Sequence, residues 1–117
     1  MKMLLLVVLI ASGLLELLAA LSLIAGPGGI SEPGLGEQWS MHYGFAALAI
    51  ASVSVWCWFQ RSHGPALTVA LGTLLVFHAG LTVSLAVAGD QQGGLVSHAV
   101  LAVLVAVLFA QRGKLTG

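Results

Sequence analysis

The chain has 117 residues, 59% of them hydrophobic and only 7% charged, with four basic residues balanced by four acidic ones; soluble domains carry about 25% charged residues. So few polar groups cannot coat a water-soluble fold, and a neutral chain has no electrostatic footprint for nucleic acid. Its single cysteine, Cys57, excludes an intramolecular disulfide and a thiolate zinc cluster and reads as a small packing residue.

The apolar residues fall in four long runs rather than alternating with polar ones, which predicts an all-α fold. The expected architecture is an integral membrane four-helix antiparallel bundle forming a single membrane domain over residues 1–117. The first run, Met3–Ala25, is broken only by Glu16 and exceeds the roughly 20 residues that span a bilayer. Lys2 and the apolar residues after it have the charged start and middle of a signal peptide, but the run continues past the roughly 7–15 residues usual there, so it is expected as the first helix. The glycines and prolines of GPGGISEPGLGE, Gly26–Glu37, predict a loop. A second helix is expected over Trp39–Gln60. After a tight connection at Arg61–Gly64, Pro65 suits the first turn of a third helix over Ala66–Ala88. The stretch GDQQGG, Gly89–Gly94, predicts a turn, Leu95–Gln111 a fourth helix, and RGKLTG a polar tail. Short connections make neighbouring helices antiparallel.

With four crossings, Lys2, Arg61, Arg112 and Lys114 fall on one side, and Glu32, Glu37 and Asp90 on the other. The positive-inside rule then puts both termini in the cytoplasm and the chain in the cytoplasmic (plasma or inner) membrane. Trp39 and Tyr43 at the outer end of the second helix, and Trp56, Trp58 and Phe59 at its inner end, suit aromatic belts. There is no internal repeat. Small residues such as Ala11, Ser12, Ala20, Ala46, Ala49, Ala51 and Ala86 predict close helix packing, in one chain or a homo-oligomer.

An ionisable side chain inside a membrane is by default a functional site with a partner to be named. Each helix holds one: Glu16, His42, His78 and His98; His63, in the turn, is read as solvated. At 1.5 Å per residue from the cytoplasmic ends, Glu16, His78 and His98 lie about 18–20 Å up, and His42 about 27 Å up, near the outer surface. Glu16, His78 and His98 are therefore expected to form a catalytic or metal-binding layer in the outer half of the bilayer. His42, Tyr43, Trp39 and Thr82 are expected to contact a substrate that enters past His42 beneath the Gly26–Glu37 loop.

Three chemistries fit these residue types. In the first, Glu16 is a general acid or base paired with a histidine and acts on a lipophilic small molecule. In the second, two histidines and a carboxylate hold a metal, or a histidine holds haem; no HxxxH or ExxH pair lies on one helix, so each ligand comes from a different helix. In the third, Glu16 exchanges a proton for a small molecule or cation and the histidines relay it. A structural subunit, with Glu16 merely bonded to a histidine, is the remaining reading. Such interhelical contacts contribute only about 0.6 kcal/mol each, a modest reason to keep four ionisable groups. Binding and acid–base or metal-assisted conversion of a lipophilic molecule is the preferred expectation, with a proton-coupled transporter next.

The segment LLELLAALSLIAG, Leu14–Gly26, resembles part of the DoxX-like small four-helix membrane proteins, where a glutamate precedes an apolar, small-residue helix. That resemblance implies the four-helix fold and no single chemistry. The chain's length and the acidic residue in the first helix also look like the small multidrug resistance exporters, which exchange protons for cationic drugs. The tryptophan, tyrosine and glycine pattern expected around the drug is missing and three membrane histidines are extra, which disfavours that family.

Overall fold

The computed structural model describes residues 1–25, 37–89 and 91–116, with side chains of the second helix from Met41 onward. The elements are α1 (Lys2–Ala25), α2 (Glu37–Phe59), α3 (Gly64–Ala88), α4 (Gln92–Ala110) and the short α5 (Gly113–Thr116). Four of them are long and apolar enough to cross a membrane, the shortest, α4, having 19 residues, about 28 Å of helix. The expected Gly26–Glu37 loop lies outside the described residues up to Gly36; Glu37 already belongs to α2.

Local chemistry sets the boundaries. His63 caps α3, its Nδ1 accepting from the Ala66 N–H at 3.3 Å, and Pro65 occupies the first turn, where its missing N–H costs nothing. α3 ends at Gly89, whose φ of +75° is left-handed and whose N–H donates to the Leu85 carbonyl at 2.9 Å. α4 then begins at Gln92 rather than Leu95, because one αL glycine suffices to end α3 and Gly93 and Gly94 enter the next helix. The expected polar tail is corrected too. It coils into α5, and Leu115, 2% exposed, joins Leu67, Leu71 and Leu108 in the core.

α1 pairs extensively with α2, and α3 with α4, whereas α2–α3 and α1–α4 contacts are lighter. The fold is thus two antiparallel hairpins side by side, with α1 and α3 on a diagonal of the ring. The buried positions of α1, Leu5, Val8, Leu9, Ser12, Glu16 and Ala20, follow one helical stripe. Leu67, Leu71, Leu74 and His78 do so on α3, and His98, Leu101, Val105 and Leu108 on α4. Large apolar side chains such as Leu18, Val76, Val83, Val87 and Val103 point outward. The two buried ends of this pattern are chemically distinct: leucines and valines fill one, and polar groups gather beyond them.

Small residues pack the bundle more selectively than expected. Ser12, Ala20, Ala47 and Ala51 are buried, but Ala11, Ala46, Ala49 and Ala86 face outward, because only one face of each helix meets a neighbour. The tightest approach is at Gly44 of α2, where a Cβ would stand 2.7 Å from Ile24 Cγ1 and 3.0 Å from Leu23 Cβ. Gly44→Ala is expected to force α1 and α2 apart and cost about 1–3 kcal/mol, read as a lower midpoint in denaturant titration of the detergent-solubilised protein; an unchanged midpoint would show that the seam is looser than this.

Arg61 lies over the Trp58 ring at 4.2 Å and donates to the Trp58 carbonyl at 2.8 Å. Arg112 lies over Phe109 at 4.5 Å, donates to the Phe109 carbonyl at 2.7 Å, and reaches Thr68 Oγ1 on α3 at 3.1 Å. Both arginines therefore neutralise carbonyls at helix C-termini and fix one end of the bundle as basic.

Candidate functional site: a buried carboxylate and two imidazoles

Where the hairpins meet, five polar side chains replace the apolar core. Ser12, Glu16 and His78 have no exposed surface, Ser54 is 3% exposed and His98 6%. They come from all four long helices. Each occupies the inward stripe of its helix, and Ser12 and Glu16, four residues apart, lie one above the other on α1.

The geometry is a chain. Ser54 Oγ donates to Ser12 Oγ at 3.4 Å, Ser12 Oγ and His78 Nε2 share a hydrogen bond of 2.9 Å, and the two Nδ1 atoms of His78 and His98 are 2.9 Å apart. His98 Nδ1 then stands 3.7 Å from Glu16 Oε1, beyond hydrogen-bond range. Two proton arrangements satisfy this chain: the Ser12 hydroxyl donates to His78 Nε2 and His78 Nδ1–H donates to His98 Nδ1, or His98 Nδ1–H donates to His78 Nδ1 and His78 Nε2–H donates to Ser12 Oγ. Among the described residues, both carboxyl oxygens of Glu16 are buried with no hydrogen-bond partner.

An unpartnered buried polar group costs about 1–3 kcal/mol, and more if charged. The cluster tolerates it while pinning the imidazoles firmly. Phe77 presents its ring edge-on to both, with centroids 5.5 Å from His78 and 6.2 Å from His98. The histidine rings lie 5.2 Å apart with their planes tilted by 36°. One ligand atom from each of Glu16, His78 and His98 falls within 4.8 Å of the other two.

The chain matches no known protein family, no curated protein and no solved structure. The resemblance of Leu14–Gly26 to DoxX-like proteins accordingly rests on that segment alone.

Among the other residues singled out from sequence, Tyr43 is half-buried on α2. His42 is exposed and is not one of the three residues whose ligand atoms gather within 4.8 Å. The Thr82 hydroxyl is turned onto its own helix, donating to the His78 carbonyl at 2.7 Å. The Trp39 side chain lies outside the described residues. Two contributors were not singled out: Ser54 and Phe77. Ser54 continues the buried small-residue stripe Ala47, Ala51 on α2, a spacing of four and then three residues that marks one helix face. Ser52, two residues earlier, faces outward and bonds the Ala49 carbonyl at 2.6 Å.

Ser54 also reaches outward. Together with Gly13 and Ala51 it lines an apolar groove of about 580 Å³ between α1 and α2, walled by Leu9, Leu14, Leu17 and Trp58. The groove brings bundle-facing surface to within two hydroxyls of His78.

Proposed function

We propose that this chain is an integral membrane protein with both termini in the cytoplasm, binding a small lipophilic molecule and moving protons on and off it at Glu16. The outward-facing valines and leucines suit lipid rather than water. The basic end formed by Arg61 and Arg112 suits the cytoplasmic face.

The observation that carries the chemistry is the buried carboxyl of Glu16, which has no hydrogen-bond partner among the described residues and lies beside an imidazole nitrogen. A carboxyl kept free of hydrogen bonds is available as a proton carrier, and His98 at 3.7 Å is its nearest basic neighbour. The groove between α1 and α2 supplies an apolar berth opening to the bilayer, and the Ser54–Ser12–His78 relay connects it to the imidazoles. A lipophilic substrate lying there has its reactive carbon or hydroxyl brought to Glu16 by a small parting of α1 from α2.

Proton traffic can be read without naming the substrate. Purified protein in lipid nanodiscs is incubated in D2O with the lipid-soluble extract of its host cells, and the extract is analysed by mass spectrometry. One class of molecule is expected to gain deuterium at carbon with wild type and not with Glu16→Gln. The absence of any Glu16-dependent label would remove the acid–base reading, and proton-gradient-driven flux into liposomes that needs Glu16 would replace it with transport.

A further inference from the structure

We infer that Glu16, His78 and His98 bind one divalent first-row transition ion of the zinc or ferrous class, through one carboxylate oxygen and the two Nδ1 atoms. The site is the one proposed above for proton transfer, but the inference does not depend on turnover.

Three potential ligand atoms converge on one small volume, one from each of Glu16, His78 and His98, and a single proton is shared between the two Nδ1 atoms. Metal bonds of about 2.0–2.2 Å to nitrogen and oxygen set tetrahedral ligand atoms about 3.4 Å apart. Here the two Nδ1 atoms are 2.9 Å apart, His98 Nδ1 and Glu16 Oε1 are 3.7 Å apart, and all three residues are within 4.8 Å. Side-chain shifts of about an ångström complete the geometry. Two imidazoles with one carboxylate select borderline ions over magnesium or calcium, which prefer all-oxygen sites. Three protein ligands leave a fourth position open, as in catalytic rather than structural zinc sites.

The outer hydrogen bonds also fit. A metal-bound imidazole is oriented by a partner on its other nitrogen, and Ser12 Oγ already sits 2.9 Å from His78 Nε2. With the ion on Nδ1, His78 stays neutral with its one proton on Nε2, placed there by exchange with solvent where it began on Nδ1, and any proton on the Glu16 carboxyl is released to solvent. Nε2–H then donates to Ser12 Oγ, and the Ser12 hydroxyl turns to donate to Ser54. Ser12 is thus a positioning residue for the ion. The divalent ion and ionised Glu16 leave one positive charge at the centre, which a hydroxide or an ionised lipophilic acid in the open position would neutralise.

The test uses the full chain, stripped with chelator and titrated with Zn²⁺ by calorimetry and with Co²⁺ by its visible absorption. Wild type is expected to bind one ion per chain with a tetrahedral cobalt spectrum. Glu16→Gln and His98→Ala should weaken binding at least about 100-fold, and Ser12→Ala, which keeps all three ligands, about 10–100-fold. His63→Ala, in the exposed turn, should leave ion binding unchanged and controls for adventitious binding. No stoichiometric ion in folded wild type, or binding that survives Glu16→Gln, would overturn the assignment. Zinc binding without deuterium exchange would leave the metal site standing and remove the acid–base reading; exchange in chelator without zinc binding would do the reverse.

Discussion

Replacing Glu16 by leucine is expected to stabilise the metal-free protein and to lose most of that advantage when zinc is bound. In chelator, wild type carries a fully buried carboxyl whose two oxygens have no partner among the described residues, a cost of about 1–3 kcal/mol that an apolar side chain removes. Glu16→Leu should therefore raise the unfolding free energy by about that amount, read by denaturant titration in detergent. With zinc at about 100 times its dissociation constant, wild type gains about 2.7 kcal/mol of ligand stabilisation. The variant, lacking one of three ligands, gains almost none of it. A fall of about 2 kcal/mol or more in the variant's relative stability on going from chelator to zinc is the signature of a residue kept for what it binds. If Glu16→Leu is instead the less stable protein in chelator, Glu16 is a structural tie between the hairpins.

That contrast bears on which parts of the molecule can be read from sequence. The four long helices are legible because each is a long apolar run with few polar interruptions: Met3–Ala25 and Ala66–Ala88 differ from α1 and α3 by no more than two residues at any end. The level of a residue along the bundle is legible for the same reason. Glu16, His78 and His98, counted to one level, do meet. Rotation about each helix axis is less legible, since the outward faces here are as apolar as the inward ones. Alanines on opposite faces of α2, such as Ala46 and Ala47, look alike in sequence, yet only Ala47 is buried. Ser52 and Ser54 present the same difficulty, and only the stripe with Ala47 and Ala51 separates them. Leu115 was hidden differently, as one apolar residue in a polar tail whose short helix turns it back onto Leu67 and Leu108.

Two hairpins with light contacts between them need something to fix their register, and if the bundle lies in lipid as proposed, hydrophobic burial does not provide it. The polar chain supplies it. Ser12 and His78 join α1 to α3 across the diagonal, while Glu16 faces His98 between α1 and α4. Buried polar networks of this kind specify one arrangement over others when their members are satisfied.

His78→Ala should consequently be the most damaging single change in the cluster, at about 3 kcal/mol, within the range for emptying a large buried site. It removes a ring with no exposed surface, strips Ser12 and His98 of their partner and leaves Phe77 packed edge-on against a void. Ser12→Ala alone should cost about 1 kcal/mol, the net value of one hydrogen bond. Because each change breaks the same bond, the double variant should fall short of additivity by about 0.6 kcal/mol and at most about 1.7. The same coupling should show in assembly. Residues 1–62 and 63–117, co-expressed as separate hairpins, should co-purify as wild type and lose most of that association with His78→Ala. Additive costs together with unimpaired co-purification would mean that apolar contacts set the register of the hairpins, and that the polar cluster serves only the chemistry within it.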